Sequence, residues 1–134
     1  MEQSSAPQRI RLLVVDDEPI VGNRLRQVFT KMGYEVVIAA SGAIALEHVN
    51  RQPFDIIVSD LKMDDMDGLE LLSLVRERSP ATKGIIITGY AEKETADQAF
   101  HDGVFDFLAK PFRLDQIKDA VIRATKVRQE EEVR

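Results

Sequence analysis

Apolar residues occur along this chain in two patterns, as short continuous runs and as longer stretches with the period of a helix. The short runs are rich in β-branched residues and predict five strands. They cover residues 10–15, 34–39, 55–59, 84–88 and 104–109. The stretches between and after them predict helices at about residues 19–32, 43–49, 69–78, 93–101 and 114–124. Gly33 is placed to end the first helix.

Regular alternation of strands and helices, without an internal repeat, predicts an α/β fold. We expect a doubly wound, five-stranded parallel sheet with five helices distributed over its two faces. Continuous apolar runs such as residues 12–15, 56–58 and 85–87 are typical of strands that are buried on both faces. Because crossovers are right-handed, few topologies remain, and we predict the flavodoxin-like strand order 2-1-3-4-5.

The length of 134 residues, of which 44% are apolar and 31% charged, fits one globular domain. We assign residues 1–8 to a polar, flexible leader and residues 9–125 to the domain. Residues 126–134 are expected to be too polar to pack, as a helix end or the start of a linker.

Composition and charge exclude several classes of protein. The chain has no cysteine, which rules out disulfides and thiolate metal sites. Its net charge of −5 argues against direct binding of nucleic acid by this chain. No apolar run approaches the roughly 18 residues of a membrane span, and the N-terminus has no signal-peptide core. We therefore expect a cytoplasmic protein.

Polar residues that carry chemistry follow the predicted strands directly. Asp16 and Asp17 follow the first, Asp60 the third, Thr88 ends the fourth and Lys110 follows the fifth. In an open α/β sheet, ligands bind beyond the carboxyl ends of the strands, where the strand order reverses. Crowded carboxylates there need a divalent cation, and an all-oxygen ligand set favours Mg²⁺.

A carboxylate, a cation, a hydroxyl and a lysine together suit phosphoryl transfer to an aspartate. Carboxylates serve as covalent nucleophiles toward phosphoryl groups. A metal ion and a lysine neutralise the charge on the transferred oxygens, and a hydroxyl donates a hydrogen bond to one of them.

Several motifs in the chain occur together in one known family. They are Val14-Val15-Asp16-Asp17-Glu18, Asp60 followed by Met63 and Met66-Asp67-Gly68, Thr88-Gly89, and Phe107-Leu108-Ala109-Lys110-Pro111-Phe112. Because these motifs occur in the same order and at the same spacing, the chain resembles the receiver domain of two-component response regulators over residues 9–125. Residues 103–107, with the motif around Lys110, are similar to receivers joined to transcription-activating ATPase domains.

The resemblance implies a role for each site residue. Asp60 would accept the phosphoryl group, and Asp16, Asp17 and Asp60 would hold Mg²⁺ together with the carbonyl of Lys62. Thr88 and Lys110 would bind the phosphoryl oxygens. Thr88 and Phe107 would form the conformational switch, and the Lys110–Pro111 peptide bond is commonly cis in this family.

The resemblance also implies partners and an activity. The donor would be a histidine kinase or a histidine phosphotransfer protein, and the chain would catalyse only its own phosphorylation and dephosphorylation. A phosphorylation-dependent homodimer is a further expectation. One departure from the family pattern is Asp64, which replaces the usual loop proline and puts the rigidity of that loop in question.

Other interpretations of these residues compete with this one. Asp17 alone is a preferred helix N-cap, and Asp64, Asp65 and Asp67 are expected to be solvated turn residues. A calcium loop fails on register, because Met63 and Leu74 would occupy ligand positions.

Two other classes of protein also compete. A phosphohydrolase of the haloacid dehalogenase kind needs Asp-x-Asp after its first strand, which Asp16-Asp17-Glu18 does not supply. A nucleotide- or flavin-binding module needs a glycine-rich phosphate loop, and no such loop follows any predicted strand.

Overall fold

The computed structural model describes residues 9–89, 97 and 102–133. The strands are β1 (Arg11–Val15), β2 (Glu35–Ala39), β3 (Ile56–Asp60), β4 (Lys83–Thr88) and β5 (Asp106–Ala109). The helices within the described residues are α1 (Pro19–Lys31), α2 (Gly42–Arg51), α3 (Gly68–Arg78) and α4 (Leu114–Val133). Apart from residue 97, which is helical, the predicted helix at residues 93–101 lies outside the described residues, as does the predicted leader.

The five strands form one parallel sheet with the order β2-β1-β3-β4-β5, which confirms the predicted topology. In the register of the sheet, Val15 pairs with Ser59, and Thr88 pairs with Ala109. Asp60, the last residue of β3, pairs with Ile87. The carboxyl ends of β1, β3, β4 and β5 therefore lie along one edge.

Alternate side chains of the strands fill two apolar cores, one on each face of the sheet. On one face, β1, β3 and β4 pack against α1 and α4, with Phe29 and Ile117 fully buried. On the other face, the remaining strand side chains pack against α2 and α3, with Ala45 and Leu71 fully buried. Burial on both faces explains why these strands are continuous apolar runs.

The ends of the helices follow local capping rules. Pro19 occupies the first turn of α1, where its missing N–H is no loss. The N-cap position of that helix belongs to Glu18 rather than to Asp17. Gly33 follows the helix with a φ of +98°, a conformation that favours glycine, and this confirms its predicted role.

The polar tail of the chain is helical and in contact with the domain. Helix α4 continues without interruption to Val133. Glu131 accepts a hydrogen bond from Lys83 Nζ at 2.9 Å, and Arg128 Nε lies 3.3 Å from Asp55 Oδ1. The expectation that residues 126–134 are too polar to pack is wrong for Arg128 and Glu131, which contact the domain through ion pairs.

Candidate functional site

The candidate site lies at the carboxyl edge of the sheet, where β1 and β3 run side by side. The chain leaves β1 toward β2 on one side and enters β3 on the other, so this is the point at which the strand order reverses. Asp16 and Asp60 are buried there, with 5% and 8% of their surface exposed, and Thr88 is fully buried. Buried carboxylates at a sheet edge are costly unless they are paired or bind a cation.

Within the described residues, four carboxylates converge at this edge. One oxygen each of Asp16, Asp17, Glu18 and Asp60 can be chosen so that all four lie within 4.8 Å of one another. Sequence reasoning named three of these residues and missed Glu18 as a contributor, although its place in Asp16-Asp17-Glu18 was a signal. The donor set is all oxygen and anionic, which fits a hard divalent cation such as Mg²⁺ or Ca²⁺.

Asp16 is fixed in place by two backbone contacts. Its N–H donates to the carbonyl of Ala39 at 3.1 Å, and its Oδ1 accepts from the Glu18 N–H at 2.7 Å. Burial raises the pKa of the Asp16 carboxyl above its ordinary value, the Asp60 and Glu18 charges add to this, and the Glu18 amide and Lys110 oppose it. A bound cation would relieve the same repulsion.

Among the described residues, Lys110 is the cation that contacts the cluster. Its Nζ donates to Asp60 Oδ2 at 3.1 Å and lies 3.7 Å from Glu18 Oε1. Partial burial lowers the pKa of Lys110, but the hydrogen bond and the negative charge of Asp60, with those of Asp16 and Glu18, outweigh it and raise the pKa. Lys110 therefore stays protonated at neutral pH.

The backbone around Lys110 holds the ammonium group near Asp60. The Lys110 N–H donates to the carbonyl of Thr88 at 2.7 Å, which extends the pairing of β5 with β4. The Lys110–Pro111 peptide bond is cis, as the resemblance implied. The hydrogen bond from the Lys110 N–H also places Thr88 next to Lys110 at the same edge.

The remaining predicted residues lie at different distances from the cluster. The N–H of Lys62 lies 3.4 Å from Asp60 Oδ1, so the loop after β3 folds back toward the carboxylate. Phe107, in β5, pairs with Ile86 and lies half-buried against the core on the α2–α3 face. It belongs to the strand that leads to the site and not to the acidic cluster.

Two acids of the loop, Asp65 and Asp67, are exposed as predicted but also bind backbone amides at the starts of helices. Asp65 accepts backbone hydrogen bonds from Gly42 at 3.2 Å and Ala43 at 2.8 Å, at the start of α2. Asp67 is the N-cap of α3 and accepts from the Glu70 N–H at 2.7 Å. Both side chains are exposed, as predicted, and each also accepts at least one backbone hydrogen bond at the start of a helix, a role that the sequence did not indicate.

Comparison with known proteins assigns the family. The model of the response regulator receiver domain family matches residues 12–122, and the chain belongs to this family. It is a phosphoacceptor signalling domain of two-component systems and not a classical enzyme. Receiver domains take their phosphoryl group from kinases or phosphotransfer proteins, and some of them dimerise.

Three relatives illustrate the match. The chain is 40% identical to the transcriptional regulatory protein GlrR of Escherichia coli (strain K12) over 82% of its length, but it spans only 25% of that protein. It is 35% identical to sporulation initiation phosphotransferase F of Bacillus subtilis (strain 168), over 83% of this chain and 90% of that one. The beryllofluoride-activated NtrC4 receiver domain dimer has a TM-score of 0.84 at 31% identity, over 88% and 98% of the two chains.

Proposed function

We propose that Asp60 accepts the phosphoryl group and that Lys110, Thr88 and a divalent cation stabilise its transfer. The observation that carries this proposal is the position of Asp60. It is the one carboxylate of the cluster that ends a strand, and its Oδ2 already receives a hydrogen bond from the Lys110 ammonium. Membership of the receiver family supports the same assignment.

The proposed cation is Mg²⁺, held by Asp16, Asp17 and Asp60 together with the carbonyl of Lys62. The carboxylates fit such an ion, since one oxygen each of Asp16, Asp17 and Asp60 lies within 4.8 Å of the others and their summed charge is negative. When bound, Mg²⁺ would neutralise charge on the transferred oxygens and orient the phosphoryl group. Glu18 extends the negative charge of the site on its solvent side.

Transfer of the phosphoryl group involves the donor and three side chains of this protein. The donor is a phosphohistidine of a histidine kinase or a histidine phosphotransfer protein. One oxygen of Asp60 forms the new O–P bond while the N–P bond of the donor breaks, and that electron pair remains on the imidazole nitrogen. Lys110 balances the charge that gathers on the phosphoryl oxygens, and the Thr88 hydroxyl donates a hydrogen bond to one of them.

The output of the domain follows from the charge that this step adds. A phosphoryl group adds negative charge and acceptor oxygens beside Thr88. We infer that the Thr88 hydroxyl moves toward it and that Phe107 turns further into the core on its side of the sheet. The surface around β5 and α4 would then bind a partner or a second copy of the chain. The dimeric NtrC4 receiver supports the second possibility by analogy.

The wider setting rests on the relatives. The chain spans about a quarter of the length of the curated transcriptional regulators that it matches. We propose that the domain controls a transcription-regulating output in the cytoplasm and does not itself contact nucleic acid. Within the described part of the chain, no helix is both long enough and apolar enough to cross a membrane.

A phosphorylation assay tests this function. The chain is incubated with Mg²⁺ and a small phosphodonor, and its intact mass is followed with time. We expect the gain of one phosphoryl group per chain, lost again slowly, and no gain when a chelator removes the metal. Continuous release of inorganic phosphate without a stable adduct would identify a phosphatase. Equal labelling in the presence of chelator would contradict the metal site.

A further inference from the structure

The loop of residues 61–67, which follows Asp60, is anchored at its two ends. The Leu61 N–H donates to the carbonyl of Ile87 in β4 at 2.9 Å. The Gly68 N–H donates back to the carbonyl of Leu61 at 2.8 Å, which closes the loop. Gly68 itself packs so closely that an added Cβ would lie 2.5 Å from the Asp60 carbonyl oxygen. These contacts fix only the two ends of the loop, so its middle, residues 62–66, must be positioned by other contacts.

Asp65 holds the middle of the loop through a contact that is distant in sequence. Its two carboxylate oxygens accept from successive backbone amides, Oδ1 from Gly42 at 3.2 Å and Oδ2 from Ala43 at 2.8 Å. The neighbouring side chain strengthens the contact, because Met66 lies against Gly42 with no room for a Cβ between them. The loop is thereby fastened to the first turn of α2.

The start of α2 is built to receive this carboxylate. Of the N–H groups that precede the first helical hydrogen bond, that of Ile44 is bonded to the side chain of the N-cap residue Ser41. Those of Gly42 and Ala43 are satisfied by Asp65, and the positive end of the helix dipole favours its negative charge. The hydrogen bond from Ala43 lowers the pKa of Asp65, so the carboxylate is ionised at neutral pH.

We propose that Asp65 is a positioning residue for phosphorylation, which fastens the loop to α2 and so holds the Lys62 carbonyl ready for the metal ion. This inference rests on the proposed function of Asp60 and its cation. Asp64, one residue earlier, stands where the family pattern has a proline that would restrict the backbone. Asp65 supplies by hydrogen bonds the order that the missing proline would supply through its ring.

The test compares four variants of the full chain at a temperature at which all are folded. In Asp65→Ala we expect Mg²⁺ to bind about tenfold more weakly, as measured by titration of backbone amide NMR signals, because a group that orients a ligand is lost. In Asp64→Ala, which removes the same charge from the same loop, affinity should stay within about twofold. Asp65→Asn keeps one acceptor oxygen and should fall between them.

A fourth variant tests the physical cause. Asp64→Pro combined with Asp65→Ala should recover most of the Mg²⁺ affinity, because proline restores order to the loop backbone. Hydrogen exchange of the amides of residues 62, 63, 65 and 66, which all variants retain, should be faster in Asp65→Ala and slow again in the double variant. A change in melting temperature alone, without these two effects, would show a purely structural role and overturn the inference.

The outcomes separate this inference from the proposed function. If the wild-type chain neither binds Mg²⁺ nor gains a phosphoryl group, the proposed function is wrong and the role of Asp65 falls with it. If the wild-type chain does both, and Asp65→Ala binds Mg²⁺ as well as Asp64→Ala does, only the role of Asp65 is wrong. Failure of the double variant to recover affinity would also contradict the inference.

Discussion

Replacing Lys110 with methionine should move two properties of the site in opposite directions. Lys110 is the positive charge nearest to Asp60 that the structure describes, with 3.1 Å between Nζ and Oδ2. Methionine keeps much of the length of the side chain and removes the charge. In Lys110→Met we expect Mg²⁺ to bind more tightly and phosphorylation to become slower, because the ammonium repels the metal ion but stabilises the transferred phosphoryl group.

The magnitude of each effect follows from the distances in the site. Lys110 Nζ lies 3.1 Å from Asp60 Oδ2, so a cation held by Asp60 together with Asp16 and Asp17 is close to it. At about 4 Å in water, a unit charge and a doubly charged ion repel by about 2 kcal/mol. Salt reduces this value, and we expect a gain in Mg²⁺ affinity of about tenfold. Loss of one group that stabilises the transition state should slow phosphorylation by about a hundredfold.

The assay measures both properties on the same samples. Mg²⁺ affinity is obtained by titration, and the phosphorylation rate is measured at saturating Mg²⁺ with a small phosphodonor. Lys31→Met is the matched control, because it removes the same charge from an exposed lysine in the last turn of α1. Weaker Mg²⁺ binding in Lys110→Met would refute the electrostatic reasoning, and an unchanged rate at saturating metal would remove Lys110 from the transfer step.

Two further predictions concern the metal and the core. In Asp17→Ala, Mg²⁺ affinity should fall at least tenfold, or about 1.4 kcal/mol, because one of few charged ligands is lost. An unchanged titration curve would exclude Asp17 from the metal site. In Phe29→Ala, the free energy of unfolding measured with urea should fall by about 3–5 kcal/mol, because the ring is fully buried between α1 and the sheet. A loss below about 1 kcal/mol would mean that the core closes around the gap.

The topology and the convergence of the candidate site residues were predictable because both depend on short-range pattern. Asp16, Asp60 and Lys110 each follow a predicted strand directly, and Asp17 follows Asp16. In a parallel sheet the ends of such strands meet at one edge. Because the strands are buried on both faces of the sheet, their apolar runs are continuous and can be recognised in the sequence. Once the strands were identified, the right-handedness of the crossovers was enough to predict the strand order.

What the sequence did not reveal depends on contacts between distant polar groups. Asp65 bonds to an amide 23 residues away, and Lys83 bonds to Glu131, 48 residues away. No periodicity connects such partners, so these contacts of polar residues cannot be recognised in the sequence. Glu18 was overlooked for a different reason. It is exposed, and only the turn from β1 into α1 brings its carboxylate beside Asp60.

The site of phosphorylation is the most direct test of the account. The chain is treated with a small phosphodonor and Mg²⁺, digested rapidly, and its peptides are analysed by mass spectrometry, with Asp60→Asn and Asp64→Asn treated in parallel. We predict one labile phosphoryl group in the peptide that contains Asp60, present in the wild-type chain and in Asp64→Asn and absent from Asp60→Asn. A phosphoryl group on any other residue of the wild-type chain, or one that persists in Asp60→Asn, would contradict the account.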